Sequence, residues 1–397
     1  MRNRARVVVA ASAIVCVVIV VGAQQNPQTQ VVAPTGPIAA EKYKNIQVLK
    51  DVPADQLEIA MRFVSAATGH QCVDCHVQEA DGQFSYDKDE KRPKATAREM
   101  MKIVKTVNDE FFMGRVTVTC ATCHKGARPV GQPGLAEMLT PEQIAAMSQP
   151  PRAAGPAPQA PPPAGAPAGA AGPGGPGRGN APPAVPVDDV LSKYVTALGG
   201  RPAIEKLQAL VMSGTLTNRA GQNLPFTIEE KANKYRETVQ SQPAAMTRGF
   251  DGTSGWAQSG TATTDLTGFL LLQALRISDL GLPLTLKDKY QNLRSVRAQQ
   301  IGGKDMVALS GAPVAGVTET LFFDAGTGLL VRRSIATRTP LGNLAEQVDY
   351  SDYRDVLGAK LPFQIKRTSW DTVDTLKVVD VKPNAQIADA RFMRPKG

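Results

Sequence analysis

From about Gln149 to Val187 the chain is dominated by Pro, Ala and Gly, as in Pro161-Pro162-Pro163 and Gly172-Pro173-Gly174-Gly175-Pro176-Gly177, with almost no large apolar side chain. Such a stretch has nothing to bury and cannot belong to a core. It reads as an extended tether of roughly 3 Å per residue where polyproline-like, long enough to let two domains move independently. The 397 residues, 42% of them hydrophobic, are thereby split into two parts, with enough chain for two ordinary cores.

The amino-terminal part carries two Cys-x-x-Cys-His pentads that use four of the five cysteines and two of the three histidines. Cys72, Cys75 and His76 form the first; Cys120, Cys123 and His124 form the second, 48 residues on. Two thiols in this spacing add across the vinyl groups of a haem while the adjacent imidazole reaches the iron. A Cys-x-x-Cys alone also suits a redox dithiol, and two such pairs can share one zinc. Zinc ribbons, however, set their pairs about fifteen to twenty residues apart, and zinc gives no reason for a His directly after each pair. The pattern therefore predicts two covalently bound c-type haems.

Export is indicated at the amino terminus, where Arg2, Arg4 and Arg6 precede an apolar run from Val7 to Val21 and Val21-Gly22-Ala23 offers small residues for cleavage. Residues 1–23 read as a signal peptide, or as a short anchor if uncleaved. Cys16 lies inside that run, so the mature chain has no thiol outside the pentads and its fold does not rely on disulfides. The three signal arginines inflate the formal charge of +9. The remaining mild basicity suits an acidic redox partner or an anionic membrane surface. No Lys/Arg run interleaved with aromatics points to nucleic acid.

After a flexible segment over 24–42, two helices are predicted, one before each pentad. Pro53 opens the first, with Leu57, Met61, Val64 and Thr68 on one face and a stop at Gly69. Pro93 opens the second, with Ala97, Met100, Val104, Val107 and Phe111 on one stripe and a stop near Gly114. A thioether is a natural sixth ligand for haem iron already held by His, which makes Met61 and Met100 candidates. Met101, off the main stripe, and Met113, beside Gly114, compete with Met100, and methionine on an apolar stripe also serves as core filling. His70 reads as a surface or propionate-contacting residue.

Several stretches together resemble one half of the cytochrome c subunit of photosynthetic reaction centres. They are Tyr43-Lys44-Asn45-Ile46-Gln47-Val48-Leu49, the helix through Met61 into Cys72-Val73-Asp74-Cys75-His76, Ala97-Arg98-Glu99-Met100-Met101, and Val118-Thr119-Cys120-Ala121-Thr122-Cys123-His124-Lys125-Gly126. The resemblance covers roughly residues 43–130. It implies a pseudo-repeat of helix, turn and haem motif, with Met61 as sixth ligand to the first haem and Met100 to the second. The family's full subunit has four haem motifs and this chain two. Nor is there a His near Phe112-Met113, where the family places a ligand to a distant haem. Both departures describe a self-contained dihaem module serving a photosynthetic or a respiratory chain.

Beyond the tail and linker of 131–187, residues 188–397 are of another kind. A short helix through Val190, Leu191, Tyr194 and Leu198 ends at Gly199-Gly200. Strands are expected at Leu210–Leu216, Phe226–Lys231, Tyr235–Val239, Met306–Ser310, Thr318–Phe323, Leu329–Thr337, Glu346–Tyr353, Phe363–Trp370 and Thr375–Val381. Asp324-Ala325-Gly326-Thr327-Gly328 reads as a hairpin loop and Leu266–Leu275 as a helix over the sheet. The expected class is multidomain α + β: a mostly α dihaem module, a Pro/Ala/Gly-rich linker, and an antiparallel β half-barrel with helices on one face. Pieces such as Gly249-Phe250-Asp251-Gly252-Thr253-Ser254-Gly255-Trp256 and Tyr353-Arg354-Asp355-Val356-Leu357-Gly358 are similar to the periplasmic lipoprotein-carrier fold, which implies a lipid or other apolar ligand. No His lies beyond His124, so chemistry through His is excluded here. Asp251, Asp349 and Asp352 read as turn and edge residues.

The function expected is that of an exported, periplasmic electron carrier, soluble or membrane-associated, and not an enzyme. Its partners would be redox proteins of an electron-transport chain, such as a membrane-bound reaction centre or respiratory complex. A peroxidase-like enzyme with one open iron, and a ligand-binding carrier with a redox-sensing haem module, are the competing classes.

Overall fold

The computed structural model describes residues 36–80, 83–124, 185–266, 268–277, 279–297, 300–369 and 372–395. The proposed signal run, the segment to residue 35 and the linker core lie outside them. No helix among the described residues is long and apolar enough to cross a membrane.

The amino-terminal part is helical: α1 (Ala39–Lys42), α2 (Ala54–Thr68), α3 (Cys72–Cys75), α4 (Arg92–Phe112) and α5 (Cys120–His124), with a small hairpin of β1 (Val77–Gln78) and β2 (Phe84–Ser85). Helix α2 starts after Pro53 and stops at Gly69, whose φ of +70° suits glycine. Helix α4 carries Pro93 in its first turn and stops at Met113 and Gly114, both left-handed.

After α6 (Val187–Ala197) and α7 (Arg201–Glu205) the chain runs through thirteen antiparallel strands. The first meander comprises β3 (Ala209–Thr217), β4 (Asn223–Lys231), β5 (Lys234–Val239), β6 (Met246–Phe250), β7 (Gly255–Ser259) and β8 (Ala262–Leu266). Helices α8 (Gly268–Ile277) and α9 (Leu282–Lys289) follow. The second meander comprises β9 (Gln291–Val296), β10 (Met306–Ala312), β11 (Val317–Asp324), β12 (Leu330–Thr339), β13 (Gly342–Val356), β14 (Ala359–Thr368) and β15 (Val373–Pro383). The meanders join where β15 pairs with β3, leaving β8 and β9 as unpaired edges, so the sheet is open.

It is strongly curled. Four strand steps separate β5 from β14, about 19 Å in a flat sheet. Yet Arg367 on β14 lies 2.8 Å from Glu237 on β5, which requires the concave face to fold inward. That face buries Leu210, Met212, Phe226, Ile228, Tyr235, Phe363 and Leu376, with Ala274 of α8 against them. Beside it, Val190, Tyr194 and Leu198 of the α6 segment and Leu286 of α9 cover Leu309, Leu321 and Phe323. The helices thus lie on one face. Behind the sheet the carboxy-terminal tail packs Ile387 and Phe392 against Ala209, and the Trp256 indole donates to the Phe392 carbonyl at 2.8 Å.

The expected hairpin loop joins β11 to β12: the Asp324 carboxylate accepts from the amides of Gly326 (2.9 Å) and Thr327 (2.7 Å). Asp251 likewise accepts from the amides of Thr253 and Ser254 (2.8 and 2.7 Å). Asp349 pairs with Arg332, and Asp352 with Arg354.

The helical part also touches the sheet. Phe63 of α2 sits on Gly342 so closely that a Cβ there would lie 2.5 Å from the ring, and Ile59 packs with Leu344 and Leu270.

Candidate functional site

The first pentad is built as a single helical turn. The Gln71 amide donates to the Asp74 carboxylate at 2.8 Å, and the His76 amide closes the turn on the Cys72 carbonyl at 2.9 Å. The His76 imidazole meets the Tyr86 ring edge-on, with centroids 5.0 Å apart. A charged frame fixes the loop bearing Tyr86. Lys94, on the buried side of α4, donates to the carbonyls of Tyr86 (2.8 Å) and Lys88 (2.6 Å) and pairs with Asp89 at 2.9 Å. Arg98 pairs with Asp89 at 2.9 Å and donates to the Asn45 carbonyl at 3.1 Å. Arg98, Asn45 and Lys94 together hold the Asp89 carboxyl well below the usual carboxylate range.

Burial lowers the His76 pKa, the Lys94 charge lowers it further, and the Tyr86 carbonyl works against them. The shift favours the neutral ring, the form that binds a metal. Its Nδ1 is buried and has no hydrogen-bond partner.

The approach to the second pentad hangs on one buried side chain. Asn108 accepts from the amides of Thr117 (3.0 Å) and Val118 (2.9 Å) and donates to the Val118 carbonyl at 2.7 Å. Residues 113–119 are thereby folded back from the end of α4 towards Cys120. The turn is then started by Thr122, whose hydroxyl accepts from the Thr119 amide at 3.0 Å. Cys120 is buried, Cys123 exposed and His124 half-buried.

Each long helix has two apolar faces. In α2, Ile59, Ala60, Phe63 and Ala67 are buried, whereas the predicted stripe of Leu57, Met61, Val64 and Thr68 is only half-buried. In α4 the buried face runs through Lys94, Met101 and Asn108. The predicted stripe lies on the adjoining flank, with Met100 45% and Phe111 73% exposed. Met101 fills the core beside Ala60 and Cys120, and Met113 lies open at the helix end. His70 is half-buried.

These features fit covalent haem. All four pentad thiols are free, a buried imidazole nitrogen lacks a partner, and an apolar methionine-bearing flank adjoins each motif, half-buried at Met61 and exposed at Met100, the latter a surface that water alone does not favour. They do not fit the other chemistries. A catalytic dithiol needs a depressed pKa, and burial pushes the Cys75 and Cys120 thiols up. Among the described residues no three His, Cys, Asp or Glu side chains converge as a metal cluster, so the pentads do not form one shared zinc site.

Residues not anticipated from sequence are Lys94, Asp89, Arg98 and Asn108. No local signal marked them, because Lys94, Met101 and Asn108 lie off the stripe that periodicity reads as apolar.

The concave face of the sheet encloses a cavity of about 890 Å³, lined by Leu216, Leu224, Ile228, Val239, Leu280 and Leu361 among others. Two buried ion clusters lie in its walls. Glu237 binds Arg248 (2.6 Å), Arg367 (2.8 Å) and the Tyr235 hydroxyl; Glu319 binds Arg333 (2.9 Å) and the Tyr290 hydroxyl. Glu230 also faces the cavity, with its carboxyl pushed up to about 7 by burial and the nearby Glu237 despite the Arg367 charge.

Residues 10–149 match the family model described as photosynthetic reaction centre cytochrome C subunit. The photosynthetic reaction center cytochrome c subunit of Thermochromatium tepidum is 34% identical over 98 residues, covering 23% of this chain and 22% of that protein. The chain thus matches about a fifth of the relative's length. Similar solved structures include a LolA superfamily protein from Nitrosomonas europaea (14% identity, 53% of this chain and 99% of that one, TM-score 0.38). A putative outer membrane lipoprotein-sorting protein domain from Vibrio parahaemolyticus is another (11% identity, 46% and 88%, TM-score 0.35). In sequence, the amino-terminal part of the chain is similar to the cytochrome c subunit of photosynthetic reaction centres.

Proposed function

We propose that this chain is an exported dihaem c-type cytochrome that carries electrons between redox proteins of a periplasmic electron-transport chain. What supports this most is the repeated unit in which a helix with a methionine-bearing apolar flank leads into a Cys-x-x-Cys-His turn. Cys72 and Cys75 would hold one haem, with His76 and Met61 as its iron ligands, and Cys120 and Cys123 the other, with His124 and Met100. Bound in this way, haem supplies one-electron exchange between ferric and ferrous iron.

The chain's own residues set the conditions for it. Burial favours the neutral form of His76, and the Lys94–Asp89–Arg98 frame fixes the loop against which its ring rests. Met101 and Ala60 close the core beneath, with Met61 half-buried against it and Met100 exposed. Methionine in the sixth position would close the coordination and favour electron transfer over substrate binding. Redox spectra of the matured protein test this. A low-spin spectrum with a methionine–iron band should lose one haem's share in Met61→Ala and the other's in Met100→Ala. A high-spin spectrum that binds peroxide or carbon monoxide, unchanged in both variants, would indicate an enzyme with an open iron.

The 890 Å³ cavity favours a second role for the sheet domain, the binding of a lipid or other apolar ligand, since an apolar space of this size is within the range of ligand sites. An environment-sensitive fatty-acid probe should bind the full chain and be displaced by lipid; no binding by any apolar probe would remove this role.

A further inference from the structure

The hairpin between β12 and β13 has an unusual tip. Thr339 pairs with Gly342, so only Pro340 and Leu341 make the turn. Two-residue hairpin tips are ordinarily Gly, Asn or Asp and face water. Here Leu341 is 7% exposed, in one apolar cluster with Ala60, Phe63 and Ala67 of α2, Met101 of α4, and Cys120 of the second pentad. The next residue, Gly342, has a φ of +144°, and a side chain there would strike the Phe63 ring. Ala121, between the pentad cysteines, lines a separate 400 Å³ pocket with Asn343 and Leu344 of β13. Three neighbouring observations thus place the sheet domain against the second pentad.

We propose that the β12–β13 hairpin is a wall of the second haem site, with Leu341 keeping water away from the Cys120 end of the haem and thereby setting that haem's potential. The inference rests on the dihaem function proposed above. Ferric haem carries one more positive charge than ferrous, so a dry apolar neighbour disfavours oxidation and a carboxylate favours it. The first pentad is more open, since Cys72 and Val73 are exposed where Cys120 is buried.

The test uses the full chain with one motif disabled at a time. With the first motif removed by Cys72→Ser and Cys75→Ser, Leu341→Asp should lower the midpoint potential of the remaining haem, and Leu341→Ile should restore it. With the second motif removed by Cys120→Ser and Cys123→Ser, Leu341→Asp should leave the first haem's potential where it was. Val379→Asp, at an exposed position on β15, controls for added charge. Should Leu341→Asp not accumulate as folded protein, Leu341→Ser carries the same comparison. An unmoved second haem, or equal shifts at both haems or with Val379→Asp, would overturn the inference while leaving the dihaem function standing. Failure of either motif to take up haem would overturn the function itself.

Discussion

Glu230 is the cavity residue whose replacement should improve the fold. Its carboxyl titrates near 7 instead of 4.5 because burial and the Glu237 charge penalise the ionised form. Between those two values the native chain holds a proton that the unfolded chain has released. The Glu230 contribution to stability must then fall as pH rises from about 4.5 to about 7, and stay at the lower level above that. A shift of that size is worth about 3 kcal/mol in a dry site. The side chain is only half-buried and faces a cavity that water can enter, so about 1–2 kcal/mol is the realistic amount. Glu230→Gln removes the charge while keeping shape and polarity. Urea unfolding of both proteins, followed by sheet circular dichroism from pH 4 to pH 8, should give nearly equal stabilities at the acid end. The variant should gain progressively and reach about 1–2 kcal/mol at the alkaline end. Carboxylates remote from Glu230, such as Asp89, cancel in the difference. Parallel curves, or a variant that loses ground as pH rises, would refute the penalty that burial and Glu237 place on the Glu230 charge.

Glu319→Gln should cost about 3–5 kcal/mol in the same assay, because it leaves Arg333 without its counter-charge in a buried site; a loss below 1 kcal/mol would mean that water reaches this pair. Asn108→Ala should destabilise the helical part by about 1–3 kcal/mol and lower haem uptake at Cys120 and Cys123 relative to Cys72 and Cys75, read by peptide mass after proteolysis. Equal uptake at both motifs would count against Asn108 as the residue that presents the second turn.

Much of this was legible in local pattern. Pro53 and Gly69 bracket α2, Pro93 and Gly114 bracket α4, and strong β-branched or aromatic runs marked nine strands of the sheet to within a few residues. The strands β6 to β9 escaped notice because they are short and rich in Thr, Gly, Ser and Gln, so their strand character comes from pairing partners rather than from their own side chains. Helix α9 was missed for a related reason: Leu282-Pro283-Leu284-Thr285 begins it with a proline that reads equally as a turn.

At the site, the pentads could be read directly, whereas the two faces of each helix could not. Periodicity marks Ala97, Met100, Val104, Val107 and Phe111 as one stripe. It cannot say that Met101 and Asn108 on the next face meet the core while Met100 and Phe111 stay open. The curl of the sheet, and with it the cavity, depends on contacts such as Glu237 with Arg367, which are 130 residues apart. The docking of Leu341 needs the same long-range knowledge, since a Pro-Leu tip reads as a turn with nothing to bury against.

The most direct test of the central claim is the intact mass and haem absorbance of the chain matured in a host that attaches c-type haem. Two covalent haems per chain are expected, one lost when Cys72 and Cys75 are replaced by Ser and the other when Cys120 and Cys123 are replaced. A chain that leaves such a host without haem, or with bound zinc released by a chelator, would contradict it.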